Sequence, residues 1–337
     1  MNIHREKYRE ARYWTSEDGG VVVCGLCPHR CRLKEGCDGF CRVRGVRDGS
    51  LMALAYGSIS SAHIDPVEKK PLYHYHPGAF VYSIGGWGCN FRCVFCQNWS
   101  ISQRVEHHGA FHEPSEVIRK ATEAGCELIA YTYNEPLVGF EFVRDCCRRA
   151  GAAGLKNILV TNGYVSHEPA GELLPLVDAL NVDIKSMEGG FYKRQCGGQL
   201  EYVLDFVKQA CSLGCHVEIT NLVIPGLNDG EQDFESLAQW ISGELGQYTP
   251  LHLSAYHPDF KANYPPTSAA TLRRAAVICR KRLAYVYLGN LPGREGQTTF
   301  CPGCGADLVI REGYRTTRDG LENGRCRNCG RPADIVG

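Results

Sequence analysis

The chain carries no net charge: 37 lysines and arginines stand against 37 aspartates and glutamates in 337 residues. That balance gives no electrostatic case for nucleic acid or for an anionic membrane surface. No run of about 18 apolar residues occurs, so no membrane-spanning helix is expected. The opening residues, MNIHREKYREARYW, lack the apolar centre of a secretion signal, and a cytoplasmic protein is expected. A disulfide framework is then not expected either, which leaves the 19 cysteines as metal ligands or small buried apolar side chains. An apolar fraction of 44% with 22% charged residues is that of a globular protein.

What is present in excess is therefore cysteine, and eleven of the 19 fall into three groups. The middle group lies in AFVYSIGGWGCNFRCVFCQNW, residues 79–99. There the apolar run from Phe80 to Ile84 ends in Gly85 and Gly86, and Cys89, Cys93 and Cys96 follow as C-x3-C-x2-C. This reads as a buried strand delivering three thiols to its C-terminal end. Thiolates suit an iron–sulfur cluster or a soft metal ion. An electron-transfer cluster uses four protein ligands, whereas three leave one iron open to a substrate. Phe95 would cover the cluster with an aromatic face. A structural zinc site with its fourth ligand elsewhere is the alternative.

The first group, Cys24, Cys27, Cys31 and Cys41, sits among glycine and proline in CGLCPHRCRLKEGCDGFC, with Cys37 as a spare. Both zinc and a second iron–sulfur cluster fit that spacing. The last group, Cys301, Cys304, Cys326 and Cys329, forms two C-x2-C knuckles with 21 residues between them. A short hairpin, LVIREGYRTT, is expected in the gap. Four thiolates with no open position favour zinc in a zinc-ribbon or rubredoxin-like module.

Between these groups, apolar strands alternate with helical stretches of about 10–16 residues, which predicts parallel βαβ units. Seven strands are expected, counting the one before Cys89. The expected architecture is α/β, a partial (β/α)6-type TIM-like barrel over residues 79–290. A cysteine-rich extension (1–78) and the C-terminal module (291–337) flank it, and a doubly wound open sheet is the alternative. In such barrels the chemistry lies at the C-terminal strand ends. Reading those ends yields Tyr133, Asn134, Glu135, Thr161, Asn162, Asp183, Lys185, Asn221, Asn228, Tyr256 and His257. Each could equally be a turn or cap residue. Asp65, Glu68, Lys69, Lys70, His74 and His76, in SSAHIDPVEKKPLYHYHPG, line a substrate mouth or form a solvated linker.

The motif C-x3-C-x-aromatic-C after a strand resembles the signature of the radical S-adenosylmethionine enzymes. That resemblance implies a [4Fe-4S] cluster on Cys89, Cys93 and Cys96, whose open iron chelates S-adenosylmethionine. It also implies a 5'-deoxyadenosyl radical that abstracts hydrogen from a substrate. VTNGY, DIK, VIPGLND and AYH fall in the same order as similar stretches in activating enzymes of glycyl-radical proteins, such as pyruvate formate-lyase activase. By that likeness Asn134 and Glu135 occupy the place of a Gly-Gly-Glu motif that holds the cosubstrate's amino group. Asn162, Asp183, Lys185 and His257 join them as cosubstrate contacts. Two departures stand out. Tyr133-Asn134 replaces Gly-Gly, and Val160 stands where the activases carry an aspartate near a monovalent-cation site.

Over its full length the layout resembles the radical component of the AmmeMemoRadiSam group, which implies Ammecr-type and Memo-type proteins as partners. A reductant such as flavodoxin or ferredoxin is expected as well, and both flanking modules are expected to dock over the barrel mouth. Action on a partner protein is the first expectation, with a small molecule second. Two other classes remain: an electron-transfer or interaction protein with three metal sites, and a nucleic-acid modifier, which has only the arginines between Arg311 and Arg331 in its favour.

Overall fold

The computed structural model describes residues 8–105, 110–313 and 315–337. Residues 1–7, part of the charged start, and Tyr314, inside the expected hairpin, lie outside the described residues.

Every predicted strand and helix of the central segment forms, and the strands assemble into one eight-stranded sheet. They are β1 (Ser61–Pro66), β2 (Phe80–Gly85), β3 (Leu128–Tyr131), β4 (Lys156–Thr161), β5 (Ala179–Asp183), β6 (His216–Val223), β7 (Leu251–Ala255) and β8 (Val286–Gly289). Strands β2 to β8 pair in parallel, each with the next in sequence. That unbroken order rules out the doubly wound alternative, whose strand order reverses part-way. The main crossover helices are α1 (Pro114–Glu123), α2 (Phe140–Ala152), α3 (His167–Leu173), α4 (Leu200–Ser212), α5 (Glu231–Trp240) and α6 (Ala269–Cys279).

Strand β1 is the addition that the sequence does not announce. It pairs antiparallel with β2, Ser61 opposite Gly85 and Pro66 opposite Phe80, and so turns a parallel sheet into a mixed one. Half of its residues, Ala62, His63 and Ile64, are exposed, as on an edge strand, so no apolar run marks it.

The helices pack by one apolar face. In α4 the buried residues Leu200, Val203, Phe206, Val207 and Ala210 recur at helical spacing. Each large side chain so buried contributes about 1.5–3 kcal/mol. Ser268 caps α6 by accepting the Thr271 N–H at 3.1 Å. The N-terminal extension is tied to α2 by an ion pair, Arg44 to Glu141 at 2.9 Å, with both side chains 1% exposed.

A strap over residues 67–76 floors the barrel at the N-terminal strand ends. The Pro71 carbonyl accepts from Asn181 of β5, while the Tyr73 and His74 N–H groups donate to Glu218 of β6. The C-terminal module packs beneath this strap. Arg311 donates to the Tyr73 carbonyl at 2.6 Å, Thr316 to Glu68, and Val336 shares backbone hydrogen bonds with His74 and His76. The expectation that this module covers the mouth is thus corrected, because it closes the opposite end. Its hairpin forms from β9 (Asp307–Glu312) and β10 (Arg315–Thr317). Among the described residues no helix is long and apolar enough to cross a membrane.

Candidate functional site

At the C-terminal ends of the parallel strands lies a cavity of about 360 Å³. Strand β2 ends at Gly85, and the loop after it carries Cys89, Cys93 and Cys96 into the cavity wall. Gly88 holds that loop close to the N-terminal extension: its φ is +80°, and a Cβ there would meet the Cys41 carbonyl oxygen at 2.5 Å. Asn134 braces the same loop, accepting from Gly86 N–H at 2.9 Å and donating to the Trp87 and Gly88 carbonyls.

The neighbouring strand ends supply the rest of the lining, including Asn134, Glu135, Asn162, Asp183 and Lys185. Glu135 is 3% exposed and accepts from the Leu137 N–H, the Thr161 hydroxyl and the Asn162 N–H, at 2.9, 2.7 and 2.8 Å. Burial pushes its carboxyl up to about 7 against the pull of those donors, and among the described residues it makes no ion pair. A carboxylate has about four acceptor positions, so one of Glu135's is unclaimed. Asn162 sends its amide toward the Cys89 sulfur at 3.6 Å and to Asn90 Oδ1 at 3.0 Å.

In the same lining, Lys185 Nζ stands 3.0 Å from Asp183 Oδ2 and 6.0 Å from the centre of the Phe95 ring. Burial works against the ammonium, but Asp183 and the thiols of Cys93 and Cys196 outweigh it and hold Lys185 firmly charged. Tyr133 takes φ +70°, a conformation that a glycine would adopt without strain. Its side chain points down into the barrel, its hydroxyl donating to Asp65 at 2.6 Å beneath the Lys70 ammonium.

His257 is not among the residues lining the cavity; it stands exposed at the edge, 2.9 Å from Gln97. Asn221 and Asn228 brace the backbone after β5 through the Ile184 and Lys185 carbonyls, and the Tyr256 hydroxyl donates to Ala262. Of the strap residues, Lys69 and Lys70 reach the cavity, with Asp65 holding both ammonium groups. Glu68, His74 and His76 turn instead to the C-terminal module.

Several lining residues carry no sequence signal of their own. Ser102, 3.1 Å from the Cys96 sulfur, is one. Ser254 and Asn290 are others, as is Thr220, whose Oγ1 is buried without a hydrogen-bond partner. Outside the lining, the Cys196 carbonyl accepts from the Arg92 N–H, next to Cys93, at 2.7 Å.

The other two cysteine groups lie outside the cavity. The four C-terminal sulfurs all fall within 4.8 Å of one another, with Cys301 to Cys329 and Cys304 to Cys326 each at 3.6 Å. The knuckles are built alike: Gly305 and Gly330, both at positive φ, donate back to Cys301 and Cys326. A metal ion fits this group. Cys24, Cys27, Cys31 and Cys41 gather beside the cluster loop, while Cys37 is exposed in a turn.

The model of the Radical SAM superfamily matches residues 84–241, from the end of β2 through α5. An uncharacterised protein of Methanocaldococcus jannaschii is 44% identical over 334 residues, covering 97% of this chain and 99% of that one. The chain belongs to the radical SAM superfamily. Its radical SAM region is also similar to pyruvate formate-lyase 1-activating enzyme of Escherichia coli, 26% identical over 185 residues, half of this chain and 71% of that enzyme. Among solved structures, a domain of pyruvate-formate lyase-activating enzyme from Bacteroides vulgatus covers 48% of this chain and 98% of its own, at 21% identity and TM-score 0.43. As a radical SAM enzyme the protein works with a [4Fe-4S] cluster and S-adenosylmethionine. The donor set fits both: three thiols and a buried carboxylate line one cavity.

Proposed function

We propose that Cys89, Cys93 and Cys96 hold the cluster and that Glu135, Asn162, Asp183, Lys185 and His257 hold S-adenosylmethionine, with Asn134 fixing the loop that presents Cys89. One observation carries this reading: a single cavity is lined by the three thiols and by the polar strand ends of β3, β4 and β5. Together the bound cluster and S-adenosylmethionine supply a 5'-deoxyadenosyl radical that takes hydrogen from a substrate.

The chain's own residues do the positioning. Glu135 receives the cosubstrate's ammonium, whose arrival compensates the buried charge. Lys185, kept charged by Asp183, faces the carboxylate of the methionine part. Phe95, buried beside Cys96, and the apolar walls keep out water and stray hydrogen donors. His257 closes the rim over Gln97.

The substrate is a residue of a partner protein. At about 360 Å³ the cavity is at the small end of ligand pockets, and a cluster with its cosubstrate takes most of it. A single side chain or glycine presented from outside needs the least further room. The likeness to an enzyme named for activating pyruvate formate-lyase supports glycyl-radical installation as one version. The AmmeMemoRadiSam resemblance adds Ammecr-type and Memo-type proteins as partners, with flavodoxin or ferredoxin as reductant. In this reading residues 79–290 are the catalytic unit, 1–78 a metal-binding extension that lends β1 to its sheet, and 291–337 a zinc ribbon.

The test uses anaerobically reconstituted protein with dithionite and S-adenosylmethionine, assayed for 5'-deoxyadenosine beside a Cys93→Ala variant. Product in the wild type and none in the variant is the expected result. Equal yields from both would sink the proposal.

A further inference from the structure

The three cysteine groups differ in how closely their sulfurs converge. Zinc bonds sulfur at about 2.3 Å, so a tetrahedral tetrathiolate holds its sulfurs about 3.8 Å apart. The C-terminal group meets that spacing. Among the described residues, no three sulfurs of Cys24, Cys27, Cys31 and Cys41 lie within 4.8 Å of one another, and the same holds for Cys89, Cys93 and Cys96. A cubane places each thiolate on a different iron at a separate corner, which spreads the sulfurs beyond the edge of a zinc tetrahedron. Neither the N-terminal group nor the three cysteines after β2 gathers its sulfurs as tightly as the C-terminal group does.

The backbone draws the first three together: Cys24 N–H donates to the Cys31 carbonyl at 3.0 Å, and the turn between them is closed by Arg30 N–H donating to the Cys27 carbonyl at 3.1 Å. A backbone N–H points at one of the sulfurs: Phe40 donates to Cys31 at 3.4 Å. Such donors are what tunes a cluster's potential.

The group also abuts the radical SAM loop. The Cys41 carbonyl lies against Gly88, the residue before Cys89, and His29 Nε2 is 2.7 Å from the Asn90 carbonyl. Arg92 bridges the two: it donates to the carbonyls of Cys89 and Phe91 at 2.9 and 3.0 Å, donates to the Phe40 carbonyl, and stacks over the Phe40 ring. Its charge reaches Cys41 on one side and Cys89 and Cys93 on the other.

We propose that Cys24, Cys27, Cys31 and Cys41 hold a second iron–sulfur cluster, closed by four thiolates, which relays single electrons from a low-potential protein reductant to the cluster on Cys89, Cys93 and Cys96. One electron enters from the reductant and one leaves through the Cys41–Gly88–Cys89 contact, so the relay cluster returns to its oxidised state each time. The relay role rests on the radical SAM reading above; the presence of the cluster does not.

The experiment reconstitutes the full chain anaerobically and counts iron, sulfide and zinc, with electron paramagnetic resonance after dithionite. Wild type should bind about eight irons and one zinc. A Cys89→Ala/Cys93→Ala/Cys96→Ala variant should keep about four irons and a reduced-cluster signal while forming no 5'-deoxyadenosine. About four irons with two zincs in the wild type would overturn the second cluster without touching the radical SAM reading, and needs no variant to fold. A Cys27→Ala/Cys31→Ala variant should lose at least tenfold in 5'-deoxyadenosine formation when flavodoxin is the reductant, relative to its rate with dithionite. An equal ratio in variant and wild type would remove the relay.

Discussion

The two ends of the barrel each bury a glutamate, and the two are treated in opposite ways. Glu218, at the floor, accepts from His216 and His252 and from the Tyr73 and His74 N–H groups, at 3.0, 2.6, 3.0 and 2.7 Å. Burial opposes its charge, but the two imidazoles outweigh it and hold the carboxyl well below its usual range. Glu135, at the mouth, has three neutral donors and, among the described residues, no ion pair, and burial pushes it up to about 7. The floor glutamate is held by its own histidines, whereas the mouth glutamate has no such partner among the described residues. On the proposed reading the same residue type is structural in one place and a receptor in the other, and what separates them is whether the partner is part of the chain.

The comparison breaks most visibly at the floor. Glu218→Ala leaves two histidines and two N–H groups without their acceptor, and should cost about 3–5 kcal/mol in denaturant unfolding. Glu135→Gln should leave unfolding little changed below about pH 7, where Glu135 is protonated, while at higher pH it weakens S-adenosylmethionine about tenfold to a hundredfold in calorimetry, the loss of a charge-assisted hydrogen bond of about 1.5–3 kcal/mol.

The pH dependence sharpens the contrast. On the proposed reading Glu135 binds the ammonium only when ionised, so wild-type affinity should rise as pH climbs through about 7, by up to tenfold per unit below it. The Glu135→Gln variant should lose that slope. In the cosubstrate-free protein the two glutamates pull stability in opposite directions. With its raised value, Glu135 contributes stability that is fully present below the unfolded carboxyl range and is lost as pH rises through about 7. Glu218, with a depressed value, contributes stability present above that range and lost as pH falls toward its folded value. Unfolding followed against pH in each variant checks both signs. The smallest effect is at Tyr133: Tyr133→Gly relieves the φ +70° strain but loses the hydrogen bond to Asp65, and stability should shift by no more than about 1 kcal/mol.

The strand-helix alternation was plain in the sequence because each element carries its own period and stops at a glycine or proline. The cluster loop was plain because three cysteines are adjacent. The strap was not. Its charges resemble a solvated linker, yet His74 is fully buried, its ring 2.6 Å from both the Asp334 carbonyl and the Tyr287 hydroxyl. Those partners lie 260 and 213 residues away, and nothing local in YHYHPG points to them. Cys196 was hidden for the same reason, since only the fold brings its carbonyl to the Arg92 N–H beside Cys93. Asn221, Asn228 and Tyr256 show the converse: polar strand-end residues that hold backbone in place, identical in pattern to the ones that face the cavity.

The most direct test of the account is electron paramagnetic resonance of the reduced, reconstituted protein before and after S-adenosylmethionine is added. A change in the cluster signal on addition, sharply reduced in Glu135→Gln at the same concentration, is the predicted result. An unchanged signal with the full iron complement bound would mean that no iron is open to the cosubstrate, and would contradict the assignment of Cys89, Cys93 and Cys96 as its site.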